Sequence, residues 1–270
     1  MRNTMKKQIR VVVKVGTSTL TMENGALDLR TIDKLAQVLC AIHNGGNEVI
    51  LVSSGAIAVG VNKMHLPEKP KELRMKQAAA AVGQCELMHI YDKCFSEYGC
   101  MVAQILLNGA DVDLPEKRQN LSNTFHALLE KGIIPIVNEN DSVTYAEIES
   151  EKQVFGDNDM LSAIVSVLVE ADELLILSDI EGLYDSNPRS NPEAKLIHKV
   201  EKIDENILAL AQGTGSNRGT GGMNTKLQAA RKVTENGITM HISFGRKPEL
   251  IYDILEGKEV GTTFLHRSLP

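Results

Sequence analysis

The chain has 270 residues, 43% of them hydrophobic and 24% charged, with a formal net charge of −6. That composition is ample for a packed core, and the acidic balance excludes a general basic field for nucleic acid, so any anionic ligand must be held by local groups. Aromatic residues make up only 4% and none interleave with a basic stripe, which removes the stacking platforms that bind single-stranded nucleic acid.

Lys6 and Lys7 precede an apolar run that Arg10 and Lys14 interrupt, the wrong pattern for a signal peptide. No stretch approaches the about 18 to 20 apolar residues of a membrane span. Cys40, Cys85, Cys94 and Cys100 show no CxxC pairing and read as free thiols, so the expected setting is the reducing cytoplasm.

Short β-branched runs alternate with segments of helical period, which predicts βαβ units around a largely parallel sheet. Residues 9–15 form the first strand. Leu29, Ile32, Leu35, Leu39 and Ile42 then mark a helix face that ends at Gly45 and Gly46, completing a crossover to a second strand at 47–53. After Pro67 and Pro70 a long helix covers about 71–98, followed by strands at 100–107 and 133–138. Leu161, Ile164, Val165 and Leu168 mark a helix beginning near Met160, and further strands follow at 173–178 and 238–243. Pro188 and Pro192 bracket a loop. No internal repeat or Pro/Gly/Ser-rich linker divides the sequence, so one domain over 1–270 is expected.

Four polar clusters fall at the C-terminal ends of predicted strands: Lys14-Val-Gly16-Thr-Ser, Ser53-Ser54-Gly55, Asn138-Glu-Asn-Asp141 and Ser178-Asp179. In open α/β sheets that edge binds ligands. Lys14 puts a cation in a strand that expects none. Lys226 closes Gly219-Thr-Gly-Gly-Met-Asn-Thr-Lys226 at the head of a helix, whose first turn already carries about half a positive charge. A polyanion between the two lysines resolves both anomalies, and nucleotide phosphates fit a glycine-rich helix N-terminus. The loop is not a Walker A motif, because Thr225 precedes Lys226, nor a dinucleotide fingerprint, because Arg218 stands where a third glycine is required.

Blander readings compete at each position. Lys14 could snorkel to water, the glycines could be punctuation, and Gly156-Asp157-Asn158-Asp159 could simply cap a helix. With Asp141, this acidic cluster could instead recognise an ammonium or hold a catalytic lysine. Cys85 and His89 stand four apart, but without a third ligand at metal spacing a core cysteine is the better reading, and no protein-held metal is expected. There is no Ser/His/Asp motif. Two lysines, backbone amides and carboxylates, with no evident base, suit phosphoryl transfer to an acceptor that is already anionic: a carboxylate, of reference pKa about 4.3, has no proton to remove at neutral pH.

The ordered set Val13-Lys14-Val-Gly-Thr-Ser18, Val52-Ser-Ser-Gly-Ala-Ile-Ala58 through Gly60, Val137-Asn-Glu-Asn-Asp-Ser142, Phe155-Gly-Asp-Asn-Asp159, Leu177-Ser-Asp-Ile-Glu-Gly-Leu-Tyr184 and Gly219 to Lys226 closely resembles the glutamate 5-kinases of the amino acid kinase superfamily. The match spans nearly the whole chain. The segments at Ser54 and Asn138 point to that branch, since N-acetylglutamate kinases carry a glycine-rich loop after the second strand.

The resemblance implies a three-layer αβα sandwich and ATP-dependent phosphorylation of the γ-carboxylate of L-glutamate, the first step of proline synthesis. Lys14 and Lys226 match the groups that neutralise the transferring phosphoryl, and Asp159 matches the position that holds them. Ser54, Asp141 and Asn158 match the glutamate contacts, with Asn138 and Asn140 as weaker candidates. Ser178, Asp179, Thr220, Gly221, Gly222, Met223, Asn224, Thr225 and Lys226 match the nucleotide site, with Mg²⁺ carried mainly by the phosphates. Proline inhibition and a homo-oligomer are further implications. Many bacterial relatives continue into an RNA-binding-like PUA domain, whereas this sequence ends soon after Leu265 and is expected to be a single kinase domain. The acidic stretch 147–153 looks longer than in some relatives, which bears on glutamate affinity and feedback. A uridylate kinase-like enzyme and a non-catalytic nucleotide sensor are the competing readings; retention of both lysines and Asp159 argues against the sensor.

Overall fold

A computed structural model describes residues 8–143, 158–211 and 222–266. In chain order these form β1 (Arg10–Val15), α1 (Thr17–Leu20), α2 (Leu29–Asn44), β2 (Glu48–Val52), α3 (Ala56–Lys63), α4 (Leu73–Glu97), β3 (Met101–Leu107), α5 (Gly109–Asp113), α6 (Pro115–Glu130) and β4 (Ile133–Glu139). They continue as α7 (Asn158–Leu168), β5 (Glu173–Ser178), β6 (Leu183–Tyr184), β7 (Leu196–Ile197), β8 (Lys199–Val200), α8 (Glu205–Leu210), α9 (Met223–Thr234), β9 (Thr239–Phe244), α10 (Leu250–Leu255) and β10 (Thr262–Phe264).

Eight strands make one sheet in the order β3-β4-β2-β1-β5-β9-β10-β8, parallel from β3 to β9, with β10 antiparallel to β9. Parallel strands covered on both faces read as continuous apolar runs, and β1 shows this: Val11, Val12, Val13 and Val15 are all fully buried. The period of two sorts them between layers. Val11, Val13 and Val15 pack with Leu35 and Leu39 of α2 and Leu87, Tyr91 and Phe95 of α4. Val12 faces the other way, toward Leu161 and Val165 of α7 and Leu227 and Val233 of α9. The result is an αβα sandwich in which Lys14, two residues after Val12, points to the α7 and α9 side.

The sheet order also brings the polar clusters together. Strands β4, β2, β1 and β5 are consecutive and parallel, so the segments after Asn138, Ser53, Lys14 and Ser178 leave one edge side by side. Two expectations fail. Leu29 is 53% exposed, because the buried side of that first turn is taken by the capping pair Asp28 and Thr31, whose side chain and amide bond the Asp28 carboxylate. Cys85 is exposed: the buried face of α4 runs through Ala80, Gly83, Gln84, Leu87 and Tyr91, which turns position 85 outward. Among the described residues no group of three His, Cys, Asp or Glu side chains is placed to hold a metal ion, and no helix is long and apolar enough to cross a membrane.

Helices α3 and α4 touch backbone to backbone. A Cβ built on Gly60 would lie 1.8 Å from the carbonyl oxygen of Ala79, and one on Gly83 would lie 1.8 Å from that of Ala56. Gly55, at φ +89°, turns the chain from β2 into α3, a left-handed conformation that glycine adopts without a Cβ penalty. The Ser53–Gly55 turn thus leads directly into a helix seated on α4. Gly83→Ala is expected to destabilise the fold by about 1–3 kcal/mol through overpacking, seen as a lower midpoint of thermal unfolding. An unchanged midpoint would show that the two helices separate without cost.

Candidate active site

Asp159 enters the core at the second position of α7, fully buried, and the favourable end of the helix dipole supports its charge. Lys14 reaches it from β1, its Nζ 2.6 Å from Oδ1. Lys226, in the first turns of α9, places its Nζ 3.0 Å from Oδ2. Thr225 Oγ1 donates to the same Oδ2 at 3.0 Å. Burial alone would push the Asp159 carboxyl up, but the two ammonium groups outweigh it and hold the carboxyl well below the usual carboxylate range. Two cations on one anion leave this cluster with an excess of positive charge, reinforced by the N-terminus of α9. An anion is the natural occupant of such a place.

The residue before Asp159 builds the adjoining half. Asn158 Nδ2 shares its two hydrogens among three acceptors, the Ser53 carbonyl at 2.8 Å, Ser54 Oγ at 2.9 Å and Asn138 Oδ1 at 3.1 Å. Ser53 Oγ lies 2.9 Å from the Tyr91 hydroxyl, so the turn is tied to α4 as well. Asp141 follows β4 at the same edge. Burial pushes its carboxyl up and Lys69 offsets part of that rise, the situation of a carboxylate that gains from an ammonium partner.

Ser178 and Asp179 end β5 next to β1. The Ser178 carbonyl accepts from Gly245 N at 2.7 Å, and Asp179 pairs with Arg189 at 3.2 Å. An open cleft of about 720 Å³ runs along this edge past Ala58, Thr17, Ser18, Asp179 and Phe244, within the size range of small-molecule sites. Of the glycine-rich segment, Gly222 caps α9 and Asn224 is exposed, whereas the Met223 side chain is buried in the core and the Thr225 hydroxyl is engaged by Asp159. Thr220, Gly221 and the stretch 147–153 lie outside the described residues. The structure therefore brings Lys14, Asp159, Thr225 and Lys226 into one cluster and Ser54, Asn138 and Asn158 into its neighbour. Asp141, Ser178 and Asp179 share the edge without bonding to either. Gln84 and Tyr91 escaped the sequence reading, since nothing in an ordinary helical stretch marks a buried glutamine or tyrosine as a support for a distant turn.

A parallel sheet with a cationic cluster at its C-terminal edge is the setting of a phosphoryl-binding enzyme, and the chain belongs to the amino acid kinase family, whose model matches residues 10–243. Solved structures share the fold: carbamate kinase from Giardia lamblia bound to AMP-PNP has a TM-score of 0.67 at 15% identity, covering 96% of this chain and 98% of that one. UMP kinase from Ureaplasma parvum has a TM-score of 0.64 at 16% identity, covering 96% and 100%. Within the family the chain stands with the glutamate 5-kinases. It is 56% identical to glutamate 5-kinase of Clostridium perfringens over 265 residues, covering 98% of each chain. Identity to the Listeria innocua enzyme is 52%, covering 98% and 95%, and to the Enterococcus faecalis enzyme 49%, covering 98% and 97%.

Asp159→Asn leaves two buried ammonium groups facing each other, and removing one partner of a buried ion pair costs about 3–5 kcal/mol. Because the folded carboxyl is depressed, its stabilising contribution is complete above the unfolded value of 3.8 and is lost as pH falls below it toward the folded value. Urea unfolding of wild type and variant should show a stability gap that holds from neutral pH to about 4 and narrows only below. A gap that shrinks between about pH 7 and 5 would place the depressed group elsewhere.

Proposed function

We infer that this chain transfers the terminal phosphoryl group of ATP to the γ-carboxylate of L-glutamate, forming L-glutamyl 5-phosphate, the first step of proline biosynthesis. The observation that carries the reading is the pair of buried ammonium groups shared by Asp159 at the sheet edge, in a chain about half identical to named glutamate 5-kinases along its length.

In this reading Lys14 and Lys226 lie between the two substrates and neutralise the charge that spreads over the equatorial oxygens of the phosphoryl group in flight. Asp159 holds both in place and takes no proton. The acceptor carboxylate is already ionised, so catalysis consists of positioning and charge stabilisation. Ser54, Asp141 and Asn158 bind glutamate at the β2 and β4 ends, with the Asp141 carboxylate as partner of the α-ammonium. Ser178, Asp179 and the segment from Thr220 to Lys226 bind the nucleotide at the β5 and α9 side. The central carboxylate is committed to two lysines, so Asp159 would not hold Mg²⁺; the ion would be carried by the nucleotide and would supply further charge neutralisation. The assigned positions all lie between Lys14 and Lys226, and the net charge of −6 with 4% aromatic residues supports a site without affinity for RNA. Family resemblance supports proline as the feedback inhibitor, a homo-oligomer as the assembly and the cytoplasm as the setting.

Purified chain supplied with ATP, Mg²⁺ and L-glutamate should yield glutamyl phosphate trapped as the hydroxamate. Phosphorylation of UMP instead would favour a nucleotide kinase, and ATP binding without either product a sensor. Lys14→Ala should lower turnover by about 10² to 10³, the usual cost of one transition-state donor, with a much smaller change in ATP affinity; near-normal turnover would return Lys14 to a structural role. Asp141→Asn should raise the KM for glutamate and leave that for ATP unchanged. The reverse pattern would invert the proposed division of the edge.

A further inference from the structure

Beneath the glutamate side runs a series of side-chain amides whose donor and acceptor ends are identified by the backbone groups they meet. The Asn158 atom 2.8 Å from the Ser53 carbonyl must be its NH₂, because a carbonyl only accepts. Asn138 is oriented from the opposite direction: the backbone N–H of Glu139 donates to its Oδ1 at 2.9 Å, and an N–H only donates. Its own NH₂ therefore faces Gln84, whose Oε1 accepts at 2.9 Å. The same Asn138 Oδ1 receives Asn158 Nδ2. With its NH₂ directed at Ser53, Ser54 and Asn138, Asn158 turns its Oδ1 away from all three. That oxygen is a pure acceptor. L-Glutamate offers two carboxylates that only accept and one ammonium that only donates, so the ammonium is its sole complement.

Gln84 is built to hold this arrangement. It is 9% exposed, and Asn138 is 1% exposed. It follows Gly83, which is in backbone contact with α3, and precedes by two turns Tyr91, which bonds Ser53. Without the Gln84 acceptor the buried NH₂ of Asn138 would lack a partner, a state that buried polar groups avoid. Asn138 would then be released to flip, its NH₂ would meet the Asn158 NH₂ donor to donor, and Asn158 would be pushed out of alignment.

We propose that Gln84 is a positioning residue for amino-acid specificity: by accepting from Asn138 it locks Asn158 with its carbonyl oxygen presented to the α-ammonium of the substrate. This rests on the assignment of L-glutamate as acceptor and of Asn158 as one of its contacts. The test compares Gln84→Met, which removes the acceptor at similar length, with Gln84→Glu, which keeps an oxygen at the same reach. Thermal unfolding establishes that each is folded, and Gln84→Ala supplies the same comparison if Gln84→Met is not. The KM for L-glutamate is set against the inhibition constant of glutarate, which retains both carboxylates and lacks the ammonium.

Gln84→Met should raise the glutamate KM by about ten-fold or more, the scale seen when outer-shell partners of metal ligands are removed, and should leave the glutarate constant, kcat and the ATP KM within about two-fold. Gln84→Glu should recover most of the glutamate affinity. Equal weakening of glutamate and glutarate would make Gln84 merely structural and overturn the proposal, as would no weakening of either. Wild-type protein that ignores L-glutamate would overturn the assigned reaction itself, and this proposal with it. Normal wild-type turnover with unaltered discrimination in Gln84→Met would overturn the proposal alone.

Discussion

The sharing of one carboxylate by two ammonium groups is the constraint on which the rest of the molecule depends. A fully buried Asp159 is tolerable only because Lys14 and Lys226 meet it at 2.6 and 3.0 Å, and each lysine is tolerable in the core only because of Asp159. The three residues come from β1, α7 and α9, elements far apart in the sequence. Their meeting point lies where the central strand of the sheet opens onto the two helices that cover one face.

The sheet order makes that meeting possible. With β1 between β2 and β5, Lys14 has the Ser53 turn on one side and the Ser178 end on the other. The alternation along β1 sends its valines into the α2 and α4 layer and its lysine toward α7 and α9. The α2 and α4 layer is not a passive support: through Gly83, Gln84 and Tyr91 it grips the turn and the amides beside the site. Charge is concentrated on one face of the sheet and neutral hydrogen-bond scaffolding is supplied from the other.

Much of this was readable from residue types alone. The apolar runs at β1, β2, β4 and β5 end in polar or glycine-rich segments that stop a strand, so both the elements and the edge could be placed. Lys14 stood out because a cation in a valine run needs a reason. Asp159 was harder, since a carboxylate opening a helix is commonplace and nothing local distinguishes a cap from a buried bridge. The two- and three-residue strands β8 and β10 are too short to show a period, and the antiparallel pairing of β10 with β9 has no local signal. Gln84 meets Asn138 across 54 residues, Met223 turns inward and Thr225 turns to Asp159; such contacts depend on how whole helices seat against the sheet.

Asn158 and Asp159 are neighbours in the chain, yet one belongs to the amide cluster and the other to the lysine cluster. Their Cα atoms are therefore about 3.8 Å apart by covalent geometry, and the head of α7 acts as a ruler between the two halves of the cavity. Thermal motion of the surrounding loops cannot alter that spacing, because no soft interface lies between the two side chains. Rotation of the helix head would shift both at once, so misalignment of the amide half must register at the paired charges of the other.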